Sequence, residues 1–279
     1  MLLGLIALLS ATAAVVICVG SGAFSGLGWL WVLPVSFCGS YLALMLLAFL
    51  FLWLMCALVD QRKVPERDSK FYRGMTHLYV DALIRIAGVR IHTEGLENTP
   101  KDGRFLLVCN HLFAADPGVL LACFRNSQLA FITKKENCSM FIVGPMMHKI
   151  LCQPLDREND RQALNTILRC IDLIRQDQVS IGVFPEGYTS KDGHLHPFRS
   201  GVFKIAQKAK VPIVVCTLRN TRAILHNALR LKKTDVQLHL VGVIEPEEFA
   251  GQTAVQISDR VHRMMAEDLG QAENSAQGT

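Results

Sequence analysis

The hydrophobic pattern divides the chain at residue 60. Before it, two apolar runs follow one another: Leu2 to Val19, interrupted only by Gly4, Ser10 and Thr12, and Trp29 to Val59. A short stretch rich in glycine and serine, residues 20–28, separates them. Each run approaches or exceeds the roughly 20 residues a helix needs to cross the hydrocarbon core of a bilayer. Pro34 and Gly39 shorten the second to about residues 40–59, which is still membrane length. Trp29, Trp31 and Trp53 stand near its two ends, as in an interfacial aromatic belt. Beyond residue 60 the periodicity changes. Apolar runs of strand length alternate with segments whose apolar residues recur every three or four positions. Strands are expected at residues 89–93, 105–108, 129–133, 150–155, 179–184, 211–218 and 237–244. Helices are expected at residues 66–87, 118–125, 139–149, 159–176, 200–210 and 253–269. The clearest helix carries Leu164, Ile167, Leu168, Ile171 and Ile174 on one face, and Asn159 with Gln162 gives it a capping-box-like start. This alternation predicts an α/β fold: a mostly parallel central sheet flanked by helices, preceded by an N-terminal two-helix membrane anchor. The expected divisions are residues 1–60 for the anchor, 61–270 for the globular domain and 271–279 for a flexible tail.

Charge sharpens the first boundary. Residues 1–59 contain no Asp, Glu, Lys or Arg, so all 29 basic and 24 acidic side chains lie after them. Arg62, Lys63, Arg67, Lys70 and Arg73 follow the second run, against Glu66 and Asp68. That basic flank places the globular domain on the cytoplasmic face of a membrane. Spanning helices and a hairpin dipping into one leaflet both satisfy the pattern. A cleaved signal peptide fits less well, because the first run lacks a basic n-region and a second run follows at once. In residues 66–87, Phe71, Tyr72 and Tyr79 with Lys70 and Arg73 suit either a helix lying on a bilayer surface or ordinary core packing. Nine cysteines without a C-x-x-C pair suit a reducing compartment and apolar packing. The net charge of +5 suits anionic lipid headgroups, and no nucleic-acid motif accompanies it.

The candidate chemistry begins where the strand at 105–108 ends, at Asn110-His111, followed by Asp116-Pro117-Gly118. Neither helix nor strand would bring His111 and Asp116 to one face, but a loop closing on a helix start would. Asp116 is expected as the helix cap and Pro117 as the first helical residue. The loop then lies at the carboxyl edge of the sheet, where such folds keep their sites. On the pair alone, two readings stand: a histidine oriented by a carboxylate, or a surface loop with a capping aspartate. Three further segments are unusual: Asp156-Arg157 after ILCQPL, Phe184-Pro185-Glu186-Gly187 after VSIGV, and Val211-Pro212-Ile213-Val214. Singly, each has a plain explanation, such as Arg157 pairing with Asp156, Glu158 or Asp160. No G-x-S-x-G nucleophile elbow occurs, and Cys109 reads as core. Asp192, His194 and His196 lack a further ligand set, so no metal is expected.

Taken in order, NHLFAAD (110–116), ILCQPLDR (150–157), FPEG (184–187) and VPIV (211–214) resemble the four blocks of the glycerol-phosphate and lysophospholipid acyltransferase family. The likeness opens at GVRIHTEGLENTP and runs to about Ile244. It implies a membrane-bound O-acyltransferase that moves a fatty acyl group from acyl-CoA or acyl-carrier protein to the free hydroxyl of 1-acyl-glycerol-3-phosphate, giving phosphatidate. His111 would be the general base and Asp116 its orienting partner, with Asn110, Arg157, Glu186, Gly187 and Lys135 binding substrate; no cofactor or metal is implied. The residues agree with this, since a histidine titrating near neutrality can deprotonate an attacking hydroxyl. Expected partners are lysophosphatidate, the acyl thioester, the phospholipid bilayer and acyl carrier protein, not nucleic acid. Glycerol-3-phosphate or another lysophospholipid is the alternative acceptor. A non-catalytic lipid-binding protein or a thioester or lipid hydrolase is the alternative of another class. Two departures stand out. Tyr188-Thr189-Ser190 replaces the family's usual Thr-Arg-Ser, leaving Lys191 or Arg199 to supply the missing cation. The second block lacks its usual strand glycine, although Gly144 lies upstream.

Overall fold

Strands β2 (Leu106–Cys109) and β5 (Ser180–Val183) are buried at every position, as unbroken apolar strands covered on both faces should be. They lie near the middle of a seven-stranded sheet in a computed structural model that describes residues 1–156 and 159–271. Arg157 and residues 272–279 of the expected tail lie outside the described residues. The other strands are β1 (Val89–Glu94), β3 (Leu129–Lys134), β4 (Gln153–Leu155), β6 (Ile213–Arg219) and β7 (Thr234–Ile244). Their order is β1-β7-β6-β2-β5-β3-β4. All neighbouring pairs are parallel except β6–β7. The sheet is thus mostly parallel, with β7 and β1 reversed at one side. The link from β6 to β7 is a short helix, α8 (Ala223–Leu229), that the apolar periodicity did not announce.

The remaining helices are α1 (Leu2–Gly20), α2 (Trp29–Ala57), α3 (Lys70–Ile86), α4 (Asp116–Cys123), α5 (Val143–Lys149), α6 (Asp160–Arg175), α7 (Lys204–Ala209) and α9 (Ala254–Leu269). Their starts follow the capping residues. Ser69 accepts from the Tyr72 amide and Asn159 from the Gln162 amide, and Thr253 and Gln256 form a full capping box. The capping serine explains why α3 begins later than the hydrophobic stripe suggested. The helix expected at 139–149 is shortened to α5, and a 3-10 turn (Lys135–Ser139) precedes it. Gly144 packs so closely on the turn that a Cβ there would lie 2.1 Å from the Cys138 carbonyl oxygen.

Helices α1 and α2 form an apolar hairpin, with Ser40 Oγ donating to the Ser10 carbonyl. Both are long and apolar enough to cross a membrane. Large side chains such as Leu8, Val16, Trp31, Leu42 and Leu47 point outward from them, a surface that suits lipid rather than water. Helix α3 fastens the hairpin to the globular domain: Tyr72 Oη donates to the Met55 carbonyl at 3.0 Å and Tyr79 Oη to the Ala48 carbonyl at 2.6 Å. Of the two readings the sequence left for this helix, bilayer surface or core packing, Arg73 follows the second: it is buried. Its guanidinium forks onto both oxygens of Asp68 and also donates to the carbonyls of Leu129 and Ile150, tying α3 to β3 and to the end of α5.

Candidate active site

Because β2, β3 and β5 are parallel, their carboxyl ends open onto one edge of the sheet, and the unusual loops gather there. Asn110 continues β2 and fixes it to its neighbour. Its amide Nδ2 donates to the Leu218 carbonyl at 3.0 Å, and its Oδ1 accepts from the Leu218 amide at 2.7 Å. Both ends of this buried side chain are engaged by β6, so its direct effect is to hold the next residue in place.

That residue is His111. Its Nδ1 lies 2.9 Å from Asp116 Oδ2. The same carboxylate oxygen accepts from the amides of Leu112 at 2.7 Å and Phe113 at 2.8 Å. Asp116 is wholly buried. It is not the helix cap the sequence suggested: Ala115 occupies that position and Asp116 opens α4, followed by Pro117. The carboxylate therefore turns back over the loop and gathers it around the imidazole. With Nδ1–H donating to Asp116, Nε2 is left as the basic nitrogen, and no hydrogen bond among the described residues occupies it. The ring is also held from one face, stacked on Phe184 with centroids 4.3 Å apart, and Phe184 stacks in turn on Phe131 at 5.8 Å. Neither aromatic contact was legible from spacing. Gly182 was the available signal, as a glycine inside an apolar strand. A Cβ there would lie 2.5 Å from the Phe131 ring.

Glu186 completes the support. Its Oε1 accepts from the His111 amide at 2.9 Å and its Oε2 from the His196 amide at 3.2 Å. The Ser190 amide donates to the His111 carbonyl at 2.8 Å, so the histidine's backbone is gripped on both sides by the loop after β5. Burial pushes the Glu186 carboxyl above the usual range, partly offset by those two amide donors. The folded chain therefore holds this proton more tightly than the unfolded chain. The associated stability is present below the ordinary glutamate range and is lost as pH rises through the raised value. Glu186→Gln is expected to remove that slope from urea midpoints measured as a function of pH; an unchanged slope would show that Glu186 is not its source.

Gly187 adopts φ +82°, which favours glycine, and closes a turn by donating its amide to Phe184. That N–H is thus occupied within the loop. What Gly187 admits instead is the exposed Arg199 side chain: a Cβ at Gly187 would lie 2.9 Å from Arg199 Nε. Asp192 binds Ser190, His194 and His196 within the same loop, and those contacts hold its carboxyl well below the usual range. At the end of β3, Lys135 Nζ lies 3.4 Å from Asp156 Oδ2 and Lys134 pairs with Glu136 at 3.3 Å. Both are exposed pairs of the kind worth only about 0–1 kcal/mol, readily exchanged for another anion. Cys109 is fully buried, and burial raises its thiol well above the ordinary value, which makes it a packing residue rather than a nucleophile.

Comparison with known proteins agrees with this architecture. Residues 90–219 match the family model described as Acyltransferase. The chloroplastic 1-acyl-sn-glycerol-3-phosphate acyltransferase BAT2 of Brassica napus is 32% identical over 179 residues, covering 63% of this chain and 50% of the relative. A probable 1-acyl-sn-glycerol-3-phosphate acyltransferase of Mycoplasma pneumoniae is 32% identical over 184 residues, covering 64% of this chain and 66% of the relative. The chain thus matches about half the length of the plant relative. The crystal structure of the 1-acyl-sn-glycerophosphate (LPA) acyltransferase PlsC from Thermotoga maritima shares the fold, with a TM-score of 0.54, 22% identity and coverage of 82% of this chain and 97% of that one. The ordered motifs, the seven-stranded sheet and the match over residues 90–219 identify that part of the chain as a domain of the acyltransferase family.

Proposed function

We propose that this protein transfers a fatty acyl group from an acyl thioester to the free hydroxyl of 1-acyl-glycerol-3-phosphate, with His111 as general base. The observation that carries this reading is the imidazole fixed at 2.9 Å from a buried carboxylate, with its other nitrogen open at the carboxyl edge of the sheet. As the acceptor oxygen attacks the thioester carbonyl, its proton passes to Nε2, and Asp116 steadies the resulting imidazolium through Nδ1–H. The tetrahedral adduct collapses by breaking the carbon–sulfur bond, and the thiolate leaves with the proton returned from the imidazolium. No protein nucleophile is needed. The phosphate of the acceptor is met by two exposed cations, Arg199 across Gly187 and Lys135 after β3; Arg157, to which the family resemblance gives the same duty, lies outside the described residues. The names of the relatives support this acceptor class. The apolar hairpin supports a membrane setting, and the basic residues after it support a cytoplasmic orientation of the domain.

The test is a labelled acyl thioester, on coenzyme A or on acyl carrier protein, offered to the full chain in phospholipid vesicles with a panel of acceptors. Labelled phosphatidate from lysophosphatidate is expected. Preferential acylation of glycerol-3-phosphate or of another lysophospholipid would redirect the acceptor. Release of free fatty acid without acceptor would overturn transfer in favour of hydrolysis.

A further inference from the structure

We propose that the segment entering α5, with Met140, Phe141 and Val143, is a membrane-seated element of the globular domain that turns the catalytic edge toward the bilayer. These three side chains are exposed by 50%, 53% and 42%, an unusual run for a loop flanked by water-soluble elements. The occupant follows from what the segment touches. Phe141 packs on Trp53 of α2 with ring centroids 5.9 Å apart, and Cys56 Sγ donates to the Ile142 carbonyl at 3.6 Å. Trp53 is itself exposed on a helix long and apolar enough to cross a membrane. An indole near the end of such a helix belongs at the headgroup level, and Phe141 beside it sits at the same depth. The apolar surface of α2 therefore continues without a break onto the globular domain, and a phospholipid bilayer is the partner that covers both.

The place of the segment in the sheet gives this docking a consequence. It follows the carboxyl end of β3, and that end shares an edge with the carboxyl end of β2, which leads into His111. Seating the segment in the interface directs that edge at the lipid. A lipid acceptor then reaches the base by moving laterally, and a diacyl product returns the same way.

The inference rests on the reading of α1 and α2 as a membrane anchor, and the experiment separates the two. In the full chain, Trp29, Trp31 and Trp53 are changed to Phe, and a single reporter is introduced as Phe141→Trp or, in a second variant, as Met140→Trp. A control retains Trp31 alone. Each is reconstituted in vesicles of phosphatidylcholine and phosphatidylglycerol carrying acyl chains brominated near the headgroup or near the terminal methyl. The loop reporters are expected to lose emission to the shallow bromines and to lose less to the deep ones. Quenching of the Trp31 control without quenching of either loop reporter overturns the proposal. Loop reporters shielded from aqueous iodide yet unquenched by bromine would mean that a second copy of the chain covers the segment, and would also overturn it. A Trp31 control that is itself unquenched removes the anchor and the proposal with it.

Discussion

Replacing His111 by alanine is expected to lower acyl transfer by about 10²–10⁴-fold, the usual contribution of a positioned acid–base group, while leaving the urea midpoint close to wild type. The asymmetry follows from the surroundings. The imidazole is partly exposed, and the loop around it is held by backbone contacts to Glu186, Ser190 and Asp116 that do not involve the ring. Asp116→Asn should lose activity to a comparable extent and stability as well. A carboxamide still accepts from Leu112 and Phe113, but it cannot balance an imidazolium. Its NH₂ would fall where Asp116 Oδ1 is buried without a hydrogen-bond partner among the described residues, a cost of about 1–3 kcal/mol for an unsatisfied buried group. Initial rates with lysophosphatidate in vesicles and unfolding midpoints of the same preparations read both effects. An alanine variant at His111 with near-normal turnover would end its assignment as base.

The largest effect on stability is expected at Arg73. Arg73→Met leaves Asp68 buried without its counter-ion and removes donors from the carbonyls of Leu129 and Ile150. Removing one partner of a buried ion pair costs about 3–5 kcal/mol, which is a large part of the roughly 5–15 kcal/mol that holds a domain folded. The matched double change, Asp68→Leu with Arg73→Met, should regain much of the loss, because no uncompensated charge then remains buried. Urea midpoints in detergent for the two variants decide this. A single variant as stable as the parent would show that the fork onto Asp68 contributes nothing net.

Much of this architecture was legible because two kinds of signal are local. A strand buried on both faces needs an unbroken apolar run, and residues 106–109 and 180–183 have one; a helix needs its start capped, and Ser69, Asn159 and Thr253 supply the caps. What stayed hidden depends on contacts between distant segments. Strand direction is not encoded in an alternation of apolar and polar residues, so the reversal of β7 against β6 emerges only from the pairing. Arg73 reads as a surface cation until Asp68 and two carbonyls are brought to it. Around the site, the motif residues lie in loops that the sheet brings together, with contacts that spacing alone did not specify. Asp116 proved to be a gatherer of its own loop rather than a helix cap, and Asn110 a tie to β6. Phe131 and Gly182 lay outside every motif, yet they stand behind the ring that supports His111.

The segment from His111 to Phe113 has no regular secondary structure, but its amides are all engaged: His111 by Glu186, Leu112 and Phe113 by Asp116. Amide hydrogens held in this way exchange with solvent only when the cooperative unit around them opens. In energetic terms the loop therefore belongs to the central strands rather than to the surface. On the mechanism proposed above, a substrate meets a base whose orientation was already fixed when the chain folded.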